Sequence, residues 1–247
     1  ENAQMAPIFI FGSPRSGTSM LHWSLARHSR LWGSAESDFM FEWVKGTEQA
    51  WAAGNEHGEL HWLPREKVNR EEFFSFAGTG IDAMYRSRSG GLQWLEQTPR
   101  YVFLYDQLRL MFPGTLFIHI IRDGRHAVDS MQRQFDWSFG RCMRTWKRHV
   151  EAGLTASESG HGDVLQLHYE DLVTDSVTTM DTVFAFIGLD PESACLEALE
   201  TPVNASRGRE NESPLQKLDP ERLAWGFLQT TSFRLACGPL QHRLGYS

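Results

Sequence analysis

IFIFGSPRSGTSML, residues 8–21, runs four hydrophobic residues into a glycine turn and out into a helical pattern. Counted from Gly12, it nearly spells the triphosphate-binding loop G-x-x-x-x-G-K-[ST], with the second glycine at Gly17 and a hydroxyl at Ser19. The lysine position holds Thr18. A strand that enters a glycine-bounded turn and opens a helix aims backbone N–H groups and the positive helix end at one spot, where anions collect. Ser13, Ser16, Thr18 and Ser19 add hydroxyl donors, and Arg15, behind Pro14, adds a guanidinium suited to bidentate oxygen contacts. A triphosphate site wants the lysine on its β- and γ-phosphates and a carboxylate for Mg²⁺ on a later strand. This loop predicts a phosphate-like group held in another way.

Working outward, residues 6–12 read as a buried parallel strand, and Met20, Leu21, Trp23, Leu25 and Ala26 give the stretch from Gly17 to about His28 an apolar helical face. TLFIHIIRD, 115–123, is a second buried strand, followed by a helix near Gly124. DVLQLHYED, 163–171, alternates as a third strand would. Helical patterns cover about 37–52, 67–88, 100–112, 124–156, 175–188, 191–200 and 219–236. Strands alternating with helices predict an α/β fold with a mainly parallel central sheet flanked by helices. The polar stretch 201–218, with two prolines, reads as a long surface loop.

With 247 residues the chain fits a single domain, 1–247, and can bury a sizeable core. A net charge of -7 without a long basic run argues against nucleic acid as a partner. Cys142, Cys195 and Cys237 are far apart and read as buried thiols, although their number leaves one disulfide open. No apolar stretch reaches the ~18 residues of a membrane span, and no secretory core is present. The first residue is Glu1, which reads as a processed chain or part of a longer protein; the cytoplasm is the expected compartment.

RDGRHAVDS, 122–130, supplies a second motif. Arg122 leaves the end of a buried strand, where ligands of open parallel sheets dock, and Ser130 lies two turns into the next helix. Together they predict a second anion pocket, separate from the first. Two anion sites without a magnesium ligand point to a nucleotide phosphorylated at two places. GSPRSGTS followed by IHIIRDGRHAVDS resembles the sulfotransferase family, which uses 3'-phosphoadenosine 5'-phosphosulfate (PAPS). The resemblance implies a P-loop-like three-layer fold and no metal. It also implies that Arg15, Ser16, Gly17, Thr18 and Ser19 hold the 5'-phosphosulfate while Arg122 and Ser130 hold the 3'-phosphate. LHYEDLV, 167–173, resembles the segment whose tyrosine, here Tyr169, lies by the adenine. On this reading the nucleotide-binding elements are 7–30, 115–135 and 163–173, the acceptor side is the helical region 37–95, and 201–247 forms a C-terminal loop and helices.

Sulfuryl transfer to a hydroxyl or amine needs a base across the sulfate from the nucleotide. In the branch similar to tyrosylprotein and bacterial sulfotransferases that base is a glutamate after the loop helix, and Glu36 in LWGSAES matches its place. His22 is a rival on the loop helix, and His119, among Ile118, Ile120 and Ile121, reads as a satisfied core histidine. The branch carries a lysine in an E-K-T-P-type segment; here it is EQTP, with Gln97 in that slot, which leaves three readings: Arg15 carries the charge on the sulfate alone, the enzyme is slow or tuned to an easier acceptor, or the protein binds PAPS without turnover. Arg207 and Arg209 lie where the family brings a basic loop over the nucleotide. Trp43, Trp51, Trp62 and Trp94 are candidates for an acceptor cleft or for the core, and Trp146 for helix packing. The expectation is a PAPS-dependent sulfotransferase releasing 3'-phosphoadenosine 5'-phosphate (PAP). A nucleotide-dependent phosphotransferase and a PAPS-binding module with little turnover are the alternatives.

Overall fold

The computed structural model describes residues 5–200, 223 and 225–246. Its centre is a five-stranded sheet in the order β2-β3-β1-β4-β5: β1 (Ile8–Gly12), β2 (Leu31–Gly33), β3 (Gln93–Gln97), β4 (Leu116–Ile121) and β5 (Val164–His168). Every ladder is parallel, and Ile8 on the central β1 pairs with Leu95 on one side and Leu116 on the other. The helices among the described residues are α1 (Thr18–Leu25), α2 (Phe39–Asn55), α3 (Trp62–Arg65), α4 (Arg70–Ser89), α5 (Tyr105–Met111), α6 (Gly124–Phe135), α7 (Phe139–Ser157), α8 (Tyr169–Thr174), α9 (Ser176–Ile187), α10 (Ser193–Glu200) and α11 (Phe227–Arg243).

The two-residue period of a strand sends alternate side chains to opposite faces. Ile8, Ile10, Ile118 and Ile120 pack on one face with Leu21 and Leu25 of α1 and with residues of α9 and α10. Phe9, Phe11 and Phe117 pack on the other with residues of α2, α4 and α5. Helices thus cover both faces, giving the three-layer α/β fold that the alternation of elements predicts. A third core joins α6, α7 and α11 around Trp146, Val150 and Phe233. The three cysteines are buried free thiols.

Two strands escape the sequence pattern. β2 is three residues long, and β3, QWLEQ, is polar at Gln93, Glu96 and Gln97, although all five of its residues are buried. The third predicted strand ends at His168, where α8 begins. The helix expected over 124–156 is two, because Asp136 turns left-handed at φ 52 and Ser138 caps α7 by accepting from Arg141 N–H. The pattern over 100–112 divides into a 3-10 turn, Pro99–Leu104, and α5. The expected loop 201–218 lies outside the described residues.

The strand order decides where a ligand fits. From β1 the chain crosses toward β2, and from β4 it crosses toward β5. The two connections diverge, so a crevice opens at the C-terminal ends of β1 and β4.

Candidate active site

The loop 13–17 leaves β1 at that crevice. Gly12 sits so close to β4 that a Cβ on it would fall 2.3 Å from the Ile120 carbonyl oxygen. Ser16 N–H turns back onto the Ser13 carbonyl at 3.1 Å, and Arg15 takes a left-handed φ of 67. Gly17 is constrained twice: its φ is 93, and a Cβ there would lie 2.5 Å from the Tyr169 ring. α1 then begins, and the N–H groups of a first turn have no intrahelical partners.

Arg15 Nε donates to Ser130 Oγ at 3.0 Å, and Arg122 Nη1 donates to the Arg15 carbonyl at 2.9 Å. The loop and the strand-end clamp expected to form two anion pockets are therefore in direct hydrogen-bond contact. The Arg122 guanidinium lies 4.4 Å above the Tyr169 ring, which is itself buried. Trp146 packs its helix as expected and also donates from Nε1 to the Arg122 carbonyl at 3.1 Å. Behind the arginine, Asp123 N–H donates to Glu170 Oε1 at 3.0 Å, Gly124 N–H to Gln241 Oε1 at 3.1 Å, and Tyr246 O–H to Glu170 Oε2 at 2.6 Å. Burial alone would raise the Asp123 carboxyl, but donors from Arg125 and Gln241 hold it below its ordinary value. The end of the described chain thus braces the strand end that carries Arg122.

Two polar atoms here lack partners: Ser16 Oγ and Arg122 Nε are buried with no hydrogen bond among the described residues. Such orphans are rare in folded proteins. Burial pushes the Arg122 guanidinium down from its usual value, and Arg15 adds to this, while Tyr169 and Glu170 oppose it. Anionic groups bound at these two points would satisfy the two atoms and offset the adjacent charges of Arg15 and Arg122, so the residues fit the phosphates of a nucleotide.

Across the loop stands Gln97, at the end of β3 and buried. Its Oε1 accepts from Ser19 Oγ at 3.1 Å, and its Nε2 donates to Thr18 Oγ1 at 3.1 Å and to Glu36 Oε1 at 3.3 Å. One neutral amide thereby ties the loop hydroxyls to the carboxylate. Loss of water around the Glu36 carboxyl raises its pKa, Gln97 opposes this, and Asp38 adds to it. The residue as a whole is exposed.

The model of the Sulfotransferase family matches residues 7–193. This chain belongs to that family. The chain is 27% identical over 203 residues to protein-tyrosine sulfotransferase 1 of Danio rerio, covering 79% of this chain and 56% of the relative. It is 26% identical to protein-tyrosine sulfotransferase 2 of Gallus gallus, over 88% of this chain and 61% of that protein. It therefore spans little more than half the length of these curated relatives. Among solved structures, the sulfotransferase domain of a Synechococcus olefin synthase superposes with a TM-score of 0.65 at 18% identity, covering 100% of this chain and 98% of that one. A mouse sulfotransferase complexed with PAP gives 0.52 at 14% identity, covering 97% and 84%. These likenesses establish the P-loop-like fold.

His22 is buried against Gly33 and edge-on to Trp23 at 5.0 Å, and burial lowers its pKa to about 4. His119 is in the core, but neither ring nitrogen has a hydrogen bond among the described residues, so it is buried without the partner expected there. Trp94 fills the core and Trp51 packs on Phe73, whereas Trp43 and Trp62 are 48% and 67% exposed. Arg207 and Arg209 lie outside the described residues. Sequence reasoning missed Glu96, Tyr101 and Ser37, which border Glu36. The available signal was their adjacency to EQTP and to Glu36; nothing in a polar strand end announces burial.

Proposed function

We propose that the chain transfers a sulfuryl group from PAPS to a hydroxyl acceptor, with Glu36 as general base and PAP as product. The carrying observation is the Gln97 amide, which joins Glu36 to Thr18 and Ser19 beside the Arg15–Ser130 contact. PAPS supplies a terminal sulfuryl group on a phosphate leaving group. Arg15, Ser16 and the loop N–H groups, with Ser13, Pro14 and Gly17 shaping the turn, hold the 5' end. Arg122 and Ser130 hold the 3'-phosphate, and Tyr169 backs the arginine. Glu36 takes the proton as the acceptor oxygen bonds to sulfur and the S–O bond to the phosphate breaks. Positioning and electrostatics carry this transfer, as in phosphoryl transfer. The curated relatives favour a peptide tyrosine as acceptor.

The test is thermal stabilisation by PAP without metal, together with sulfate transfer from PAPS to a tyrosine-containing peptide. Stabilisation with sulfated product is expected. Stabilisation by Mg-ATP and not by PAP overturns the reading in favour of phosphotransfer. PAP binding with no sulfated hydroxyl product from peptide, sugar or phenol acceptors leaves a binding module in its place.

A further inference from the structure

The short segment that carries Glu36 is gripped by the end of β3 and the 3-10 turn after it. Ser37 N–H donates to Glu96 Oε1 at 3.3 Å, and Ser37 Oγ and Tyr101 O–H share a hydrogen bond at 2.8 Å. The Tyr101 oxygen also accepts from Met40 N–H at 3.2 Å, which fixes the first turn of α2. Arg100 Nη2 donates to the Asp38 carbonyl at 2.8 Å, and Arg100 Nε lies 3.1 Å from Asp38 Oδ1. Residues 96–101 therefore hold residues 36–38 one after another.

Glu96 and Tyr101 are buried, at 2% and 1% exposure, and Glu96 also accepts from Tyr85 O–H at 2.9 Å and Thr98 Oγ1 at 2.7 Å. A buried carboxylate with three donors is a rigid post. Among the described residues these bonds lead toward Ser37 and away from the anion loop. Asp38 has φ 52, a conformation that a non-glycine residue keeps only where its surroundings over-determine it. The direct tie on Glu36 is the 3.3 Å bond from Gln97, at the long end of the hydrogen-bond range. That bond holds the carboxyl only; the backbone that carries it is held through Ser37 and Asp38.

We propose that Tyr101 is a positioning residue for the base, fixing the Ser37 side chain and through it aiming the Glu36 carboxyl at the space beyond Thr18 and Ser19. The inference rests on Glu36 acting as the base. Small displacements of a reacting group, of about 1 Å, lower rates by ~10²-fold. Releasing Ser37 should therefore slow transfer without touching the nucleotide grip. Among the described residues the charge acting on Glu36 is that of Asp38 on its own segment, which Arg100 pairs from the opposite side.

The experiment compares Tyr101→Phe, which keeps the buried ring and removes its hydroxyl, with Ser37→Ala. Three quantities are measured: PAP affinity by calorimetry, kcat with its pH profile, and the Glu36 carboxyl titration by ¹³C NMR, assigned with Glu36→Gln. The expected result is PAP affinity within ~2-fold of the parent, kcat lowered ~10-fold or more, and a displaced Glu36 titration in both variants. If Tyr101→Phe fails to fold, Ser37→Ala decides. A parental kcat and an unmoved titration overturn the proposal, as does an equal fall in PAP affinity, which marks general loosening. A Glu36→Gln variant with the parental rate sinks the base assignment and this inference with it. An inactive Glu36→Gln beside fully active Tyr101→Phe and Ser37→Ala sinks the positioning role alone.

Discussion

Arg15 Nε lies 3.0 Å from Ser130 Oγ, across 115 residues of chain, and Arg122 donates to the carbonyl of that same Arg15 at 2.9 Å. Loop and clamp are thereby joined by two hydrogen bonds. An anion entering between them meets two guanidinium groups already aligned by backbone and hydroxyl contacts. Preorganisation of this kind reduces the ordering cost of binding.

Arg122→Ala removes a charge-assisted contact of ~1.5–3 kcal/mol, so PAP affinity should fall ~10- to 100-fold. Ser130→Ala removes a neutral partner and should cost ~3- to 10-fold. Isothermal calorimetry at one salt concentration ranks the two. Equal losses would mean that Ser130 acts chiefly by holding Arg15, and no loss at residue 122 would remove it from the nucleotide site.

Glu36→Gln should leave PAP affinity intact and lower kcat by ~10²- to 10⁴-fold, the usual share of general acid–base catalysis. Because desolvation raises the Glu36 carboxyl, its active anionic form disappears at a higher pH than an ordinary glutamate, about 4.3, would require. The rate should therefore climb through that raised pKa as pH increases and then level off. A pH–kcat profile flat down to the ordinary carboxylate range would contradict the assignment.

What was legible in the chain follows from chemistry that is local. The glycine-bounded loop, the isoleucine-rich β4 and the serine two turns beyond Arg122 carry their roles in adjacent residues. β3 does not: Gln93, Glu96 and Gln97 look like a solvated turn, and only the fold shows that they are buried between β1 and β2. The supports of Glu36 were invisible for the same reason, since Ser37, Glu96 and Tyr101 meet only after the sheet is assembled. Asp136 hid the break between α6 and α7, because a left-handed aspartate leaves no glycine or proline to mark it.

Gln97→Lys probes the neutral amide directly. A lysine offers donors only, so the bond that Gln97 Oε1 accepts from Ser19 is lost. An ammonium next to Glu36 would also favour its charged form and move the acid limb of the pH–kcat profile to lower pH. Above that limb, a rate increase would show that the transferring group lacks a cation in the natural chain; an unchanged rate would leave Arg15 sufficient.

The last prediction concerns acid stability. Burial lowers His22 and His149 to about 4 and His119 to about 3, against 6.5 for a free imidazole. A depressed folded-state pKa means that these rings stabilise the fold fully above pH ~6.5 and cost stability as pH falls toward the folded values. Each ring should remove ~2 kcal/mol by pH 5, so three remove a large part of an ordinary domain's stability. Glu96 works the other way, since burial raises its carboxyl and protonation favours the folded state. The net expectation is a urea midpoint that falls steeply between pH 7.5 and 5. His119→Leu, which removes a ring without a hydrogen bond among the described residues and keeps apolar contacts, should flatten that fall by about a third. An identical pH dependence in the variant and the parent would show that His119 is not among the groups that titrate on unfolding.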